Sequence, residues 1–457
     1  MANPIISMAR AGRQTAVIAL VSAAWLLAAM FVAARDPFLG LSVGIAPILA
    51  ALLVRFATVR VLAVSIGGMI VLGSSSDLGP NKIIYAAVVV VCALISGYRL
   101  ILSPPPYAWA FRPLIWFGLA VIAIFAISYL ASPAGSDFAT FGRQSIFYLL
   151  IVLGPVIGLD SGRDLAPRAV YAILGVIGMV AALGFAADWL NRRGVTALPF
   201  GRFVLSSLVL PGLVFGLALV MVFHSRSVMA RALWLIPVVI IPVAMLVTGT
   251  RTNLIIFIAI AVVLGSMRNA RVPPGRMIIL VVVGGIAGVV LFPIAVSVAV
   301  ADPAFISNRV AALISALTGN GDASLSFRQD QADTAAELIS YSPFFGFGLG
   351  YAVPFTVDSP LLTPLRLGWV GTALVASFIA ALSIAVWRAS RAYARNPATT
   401  AWWAFMAICI ANLIFGTPLE DRGFGFAVML ACMAIGAGLN ASENRPREES
   451  QITATRR

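Results

Sequence analysis

Long apolar runs separated by short polar turns make up nearly the whole chain. Because a membrane-spanning helix needs about 20 mostly apolar residues, the runs predict an all-α fold, a polytopic bundle of about 12 to 14 transmembrane helices. The runs at 61–74 and 145–159 are short, which is typical of tilted or re-entrant segments. The candidate spans lie at about 15–34, 38–54, 61–74, 83–102, 113–131, 145–159, 168–189, 203–223, 232–248, 252–267, 277–300, 367–387, 400–417 and 424–439.

One long interruption, residues 301–365, divides these runs. An N-terminal bundle of about 11 spans is predicted before it, in residues 1–300, with a tight turn at 248–253. Further spans are predicted in 366–440, and the polar tail 441–457 is expected to be disordered. The interruption is expected to fold as a small helical loop subdomain outside the membrane.

A helix over 327–341 is predicted inside the interruption, since Ser326 and Gln329 have the spacing of a capping box and Pro343 stops a helix. Arg328 is expected to point inward with the packing face, where a buried guanidinium needs an anion. That anion is either a structural carboxylate or a ligand phosphate. The expected inward positions are Arg328, Ala332, Ala335, Ala336 and Ile339, and the expected solvent-facing acids are Asp330, Asp333 and Glu337.

The composition excludes most soluble classes. The chain is 61% hydrophobic and only 11% charged, with a mean hydropathy of +1.01. Cys92, Cys409 and Cys432 all fall in apolar runs, which predicts packed thiols rather than disulfides or a zinc site. The only histidine, His224, argues against histidine-based catalysis and histidine metal sites. No metal and no cofactor is expected.

The distribution of basic residues predicts the orientation. When spans alternate from a cytoplasmic N-terminus, most of the 31 lysines and arginines fall on the cytoplasmic side, as the positive-inside rule requires. Both termini are then cytoplasmic, in the inner membrane, and residues 301–365 are external. The net charge of +14 does not indicate nucleic-acid binding, because no soluble basic surface is available.

The external arginines oppose this charge rule and are therefore the candidate binding residues. Arg192 and Arg193 share one short loop, and Arg366 precedes a later span. Arg251 lies in the tight turn between two apolar runs, where a charge is costly and is either functional or a boundary marker whose side chain reaches the interface. These four residues are predicted to contact an anionic substrate.

Asp358 is the candidate base. It lies between a glycine-rich turn at 346–350 and the next span, in an apolar setting that raises a carboxyl pKa. A turn-forming aspartate before a proline is the alternative interpretation. The glycine-rich turn is not a dinucleotide fingerprint, because no strand precedes it.

In residues 240–390 the order of motifs resembles the O-antigen ligases and the related polymerases of lipid-linked oligosaccharides. Those families have a Thr-x-Ser-Arg turn between two spans, here Thr248-Gly-Thr-Arg251. A long external loop follows, with an arginine-led helix, here at Arg328, and a glycine turn, here at 343–348. A short polar motif, here Asp358-Ser359, precedes a span that opens with Gly-x-x-Gly, here at 368–371.

The resemblance implies transfer of a glycan from a polyprenyl diphosphate on the outer face of the cytoplasmic membrane. It implies that Arg251 and Arg328 hold the diphosphate. The ligases have a histidine in the polar motif, whereas this chain has Asp358-Ser359, which favours a polymerase over a ligase. Implied partners are the lipid-linked glycan, membrane lipid and other polysaccharide-assembly proteins, such as a chain-length regulator.

Two other classes were weighed against glycan transfer. A lipid-linked oligosaccharide transporter or flippase also has many spans, but transporters usually place ionisable groups at mid-membrane and show internal repeats. Here the candidate charges lie around one external loop, and no clear repeat is visible. A non-catalytic membrane scaffold would leave Arg251 unexplained.

Overall fold

The computed structural model describes about two thirds of the chain. Within this part every regular element is a helix, which confirms the all-α prediction. Two compact units are present, residues 1–60 and residues 61–457. The described residues are 30, 34, 37–73, 80–132, 137–192, 209–225, 227–247, 260, 263–264, 323–351, 360–393, 397–415, 419 and 423–455.

The helices follow the apolar runs closely. They are α1 (Pro37–Arg55), α2 (Ala57–Gly73), α3 (Pro80–Leu102), α4 (Ala108–Phe111), α5 (Pro113–Leu130), α6 (Phe138–Asp164), α7 (Pro167–Arg192), α8 (Val209–His224), α9 (Val228–Val247), α10 (Ala323–Tyr341), α11 (Leu362–Tyr393), α12 (Pro397–Phe415) and α13 (Phe424–Thr455). The predicted spans at 15–34, 252–267 and 277–300 lie almost wholly outside the described residues.

Seven of the described helices are long and apolar enough to cross a membrane, or up to eight if α1 and α2 form one span. The protein is therefore a multi-pass membrane protein. Many large apolar side chains are exposed on these helices, including Trp116 at 75% and Leu130 at 82%. Such exposure is expected where the surrounding solvent is lipid. The three cysteines are buried free thiols, as predicted.

The predicted short run at 145–159 is in fact the core of a 27-residue helix, α6, which spans Phe138–Asp164. The sequence analysis underestimated its length because polar residues occupy both ends. Several of these residues are buried, including Gln144 at 5% and Asp160 at 0% exposed. They contact other elements rather than lipid, so hydropathy alone could not assign them to the span.

α6 and α13 pack closely along a stripe of glycines spaced four residues apart, Gly154, Gly158 and Gly162. A Cβ added to Gly158 would overlap the carbonyl oxygen of Met429, and one added to Gly162 would overlap that of Met433. Small residues at this spacing allow two backbones to approach, which is how transmembrane helices commonly associate. The sequence analysis noted other glycines and missed this stripe.

Replacing Gly158 with alanine is expected to destabilise the protein by about 3 kcal/mol, because a backbone atom cannot move aside without separating the two helices. The thermal unfolding midpoint of purified protein in detergent measures this. Gly97→Ala is the matched control, since the nearest atom to its added methyl, in Val156, lies at an ordinary 3.7 Å. Equal midpoints for the two variants would contradict the close α6–α13 contact.

An ionic cluster occupies the C-terminal ends of α3 and α6. Arg99 contacts Asp164 at 2.7 Å and Asp160 at 3.5 Å. Arg163 donates to the Ser103 hydroxyl at 3.1 Å, and its carbonyl accepts from the Asn440 amide of α13 at 2.9 Å. The cluster joins three helices at the end of the bundle that the charge rule assigns to the cytoplasm.

The structure differs from the predicted disorder of the tail. α13 continues as a helix through residues 441–455. Ala441, Glu443, Glu448 and Glu449 favour a helix and extend one already formed in the bundle, although Pro446 in the same segment disfavours one.

Candidate functional site

The helix predicted in the external segment is present as α10, Ala323–Tyr341. It ends where the sequence analysis expected but begins earlier. Ser326 therefore lies inside the helix, and the predicted capping box at this residue is wrong. The additional turn is possible because Ala323, Ser324 and Leu325 precede Ser326 without a glycine or proline to prevent a helix.

The buried face of α10 agrees with most of the predicted face. Ala335 and Ile339 are buried and pack with Phe347, Leu362 and Leu365 in one apolar cluster. The solvent-facing acids, Asp330, Asp333 and Glu337, are exposed as predicted, but Ala336 is also exposed, contrary to the prediction. Leu338 packs against the cluster in its place, because the buried stripe is rotated slightly, toward Gln331 and Leu338 and away from Ala336.

The glycine-rich turn that follows α10 is attached to the first residues of α11 by backbone hydrogen bonds. These run from Phe347 N to Leu365 O (2.8 Å), from Gly348 N to Arg366 O (2.8 Å), from Trp369 N to Pro343 O (2.8 Å) and from Val370 N to Phe344 O (3.3 Å). The turn and the start of α11 therefore form one connected piece of backbone, which includes Arg366.

Three glycines in this piece have backbone angles that other residues rarely adopt. Gly346, Gly348 and Gly368 have φ of 68°, 82° and 64°. A Cβ at Gly348 would overlap the carbonyl oxygen of Ser128, and one at Gly368 would overlap that of Phe344. The glycines thus allow both the positive φ and the close contact, as the sequence analysis expected of a tight bend.

The same turn contacts the ends of α5 and α6. The Ser132 hydroxyl donates to Phe347 O at 2.5 Å, and Asp137 N donates to Gly350 O at 3.1 Å. Asp137 also caps α6 by accepting from Thr140 N at 2.7 Å. Hydrogen bonds from the Thr140 side chain and backbone lower the pKa of the exposed Asp137 carboxyl, so the cap is intact above the ordinary aspartate pKa and is lost as pH falls through the lowered value.

Gln144 lies in α6, four residues after Thr140, and connects the glycine-rich turn to Arg366. With its amide nitrogen toward Leu349 O, it donates to that carbonyl, and its oxygen accepts from Arg366 Nη2 at 3.3 Å. This orientation is assigned from the hydrogen-bond network, in which the reversed amide would face like groups. Sequence reasoning missed Gln144, because a single glutamine in an apolar run carries no signal of its partner.

Gln331 is a second buried amide that sequence reasoning missed. It is 8% exposed, and its Oε1 has no hydrogen-bond partner among the described residues. Its position falls on the buried stripe of α10, one turn after Arg328 in the chain. A glutamine next to the alanines of this stripe was the available sequence signal.

The structure describes only some of the predicted site residues. The backbone of Arg328 lies in α10, on the same helical stripe as Ala335, and Arg366 is half-buried beside Gln144. Arg192 is the last residue of α7. Arg193, Arg251 and Asp358 lie outside the described residues, so their roles remain predictions. Within the described ranges, no group of three His, Cys, Asp or Glu side chains could hold a metal ion.

Comparison with known families finds one similarity. Residues 236–366 of the 457-residue chain match the family model described as O-antigen ligase. The matched range includes Arg251, Arg328, Asp358 and Arg366. No curated protein matches the chain.

The match agrees with the resemblance stated from the motifs. The matched range ends at Arg366, so Ser132, Asp137 and Gln144, which contact the glycine turn, lie outside it.

Proposed function

We propose that the protein polymerises polyprenyl-diphosphate-linked oligosaccharide repeat units into a surface polysaccharide. The reaction takes place on the outer face of the cytoplasmic membrane. The observation that carries the proposal is the match to the O-antigen ligase family model, which covers the external segment and the arginine-bearing start of α11. Both termini are cytoplasmic in this proposal, and residues 301–365 are external.

The arrangement of the described helices supports this orientation. The glycine turn contacts the end of α5, the beginning of α6 and the beginning of α11. The ionic cluster of Arg99 and Asp164 lies at the opposite end of α6. The glycine turn and the ionic cluster therefore lie at opposite ends of α6, so an orientation with Arg99 and Arg163 in the cytoplasm puts the turn outside.

The diphosphate of the donor is held by arginines in this mechanism. Arg251, Arg328 and Arg366 contact its oxygens, and Arg192 and Arg193 add positive charge at the rim. Each charge-assisted hydrogen bond contributes about 1.5–3 kcal/mol. Two or three of these bonds stabilise the charge that develops on the leaving group, so the proposed reaction needs no metal ion.

In the transfer step, a hydroxyl of the acceptor glycan attacks the anomeric carbon of the donor sugar. A new glycosidic bond forms while the bond between that carbon and the diphosphate oxygen breaks. The polyprenyl diphosphate leaves with the electron pair, and the proton of the hydroxyl passes to the carboxylate of Asp358. General-base assistance of this kind gives about 10²–10⁴-fold in rate.

A ligase that transfers the finished glycan to a different acceptor is the second candidate. The family match fits it equally well. The histidine of the ligase motif is the feature that separates the two, and the only histidine in this chain, His224, lies at the end of α8, outside the matched range. This difference favours the polymerase.

A deletion strain of the source organism tests the proposal, with its lipid-linked glycans and surface polysaccharide analysed by mass spectrometry. Single repeat units accumulating on lipid, with long chains lost, are expected for a polymerase. Full-length chains retained on the lipid carrier would indicate a ligase. Unchanged glycans would contradict both and favour a transporter.

A further inference from the structure

Gln144 connects the N-terminal bundle to the range matched by the O-antigen ligase family through its side chain. It lies in α6, far from residues 236–366 in the sequence, and is only 5% exposed. Its amide contacts the carbonyl of Leu349 in the glycine turn and the guanidinium of Arg366 near the start of α11. A buried amide is costly unless its donor and acceptor are both satisfied, and here each has a partner.

Arg366 is fixed from two directions. Its backbone carbonyl accepts from Gly348 N at 2.8 Å, and its Nη2 donates to Gln144 at 3.3 Å. The first contact fixes where the side chain starts, and the second fixes where its charged group lies. An arginine whose backbone and guanidinium are both held loses little further rotamer freedom when it meets an anion, so binding costs less entropy.

We propose that Gln144 is a positioning residue that sets the guanidinium of Arg366 for the diphosphate of the lipid donor. The inference rests on the proposed function, in which Arg366 contacts that diphosphate. It makes the N-terminal bundle part of the binding site rather than only its support. Gln144 touches Arg366 and not the substrate, so its effect is indirect and depends on the presence of Arg366.

The test compares two variants of nearly equal size in the full-length protein, purified into lipid nanodiscs. Gln144→Leu removes both hydrogen bonds and leaves Arg366 without its orienting acceptor. Gln144→Glu keeps an acceptor for Arg366 but places a carboxylate beside the guanidinium and loses the donor to Leu349 O. Ser145→Ala is the control, because Ser145 is the adjacent buried residue of α6 and its hydroxyl has no partner among the described residues.

Binding of undecaprenyl diphosphate is measured for each variant, with undecaprenyl phosphate as the second probe. Since the lost hydrogen bond is made to a charged group, we expect Gln144→Leu to weaken diphosphate binding by about tenfold. Gln144→Glu should weaken it more, because the carboxylate competes with the diphosphate for Arg366. In turnover, the KM for the lipid donor should rise and the KM for the acceptor should stay unchanged.

The Arg366→Gln background distinguishes positioning from a general structural role. There, Gln144→Leu should cause little further loss, because two residues acting through one contact are not additive. Equal losses in both backgrounds, or unchanged diphosphate binding in folded Gln144→Leu and Gln144→Glu protein, would overturn the role of Gln144 and leave the proposed function standing. Unchanged binding in Arg366→Gln itself would overturn the donor contact of Arg366.

Discussion

Replacing Arg251 or Arg328 with alanine is expected to lower polysaccharide product by at least about 100-fold, with the protein still inserted in the membrane. In the proposed mechanism each substitution removes charge-assisted hydrogen bonds worth together about 3 kcal/mol from the departing diphosphate. Lysine at either position keeps the charge but not the planar pair of donors, so an intermediate loss is expected. Polymer length and amount in a complemented deletion strain measure both effects.

Arg391→Ala is the control for this experiment. Arg391 is an exposed arginine at the other end of α11, where its guanidinium lies 3.9 Å from the centre of the Trp387 ring. Its loss should leave the polymer unchanged. Normal polymer in both the Arg251→Ala and Arg328→Ala strains, at normal protein levels, would contradict the diphosphate role of these residues.

Replacing Gly368 with alanine is the second change with a large expected effect. Gly368 has φ of 64° and ψ of 179°, a region essentially restricted to glycine, and an added Cβ would overlap the carbonyl of Phe344. The glycine turn must then move away from the start of α11, which carries Arg366. Because a displacement of about 1 Å can cost 10²-fold in rate, we expect glycan transfer to fall by at least that factor.

The matched substitution is Gly175→Ala, where the nearest atom to the added methyl, in Trp234, lies at 3.4 Å, an ordinary contact. Both variants should insert in the membrane equally, since one added methyl group leaves the apolar character of α7 and α11 unchanged. The contrast is in polymer product, which should be lost only in Gly368→Ala. Full activity in Gly368→Ala would show that the turn and α11 need not stay attached.

The membrane architecture could be predicted because each span is a local signal. Runs of apolar residues predicted most of the membrane helices to within a few residues, but not α4, the length of α6 or the extension of α13 beyond residue 439. In α6, Gln144 and Asp160 interrupt the apolar pattern but are buried against other parts of the protein. A hydropathy pattern reports the surroundings of a residue only when those surroundings are lipid.

The site was harder to predict because its contacts join distant parts of the chain. The order of arginines and glycines after residue 248 predicted a resemblance to the O-antigen ligases, and the match of residues 236–366 to that family model agrees with it. The contacts of Ser132 with Phe347 and of Gln144 with Arg366 each cross more than 200 residues. Serine and glutamine side chains can form hydrogen bonds with many parts of a membrane protein, and only the folded chain shows which of them meet the glycine turn.

The most direct test of the central claim is polymerisation by the purified protein. Lipid-linked repeat units isolated from the deletion strain are added to the protein in proteoliposomes, in buffer with EDTA and without nucleotide sugars. We expect longer lipid-linked chains, with one polyprenyl diphosphate released for each glycosidic bond formed, and neither product with Arg328→Ala protein. Repeat units that stay unjoined with the wild-type protein, or chain growth that is the same with Arg328→Ala, would contradict the claim.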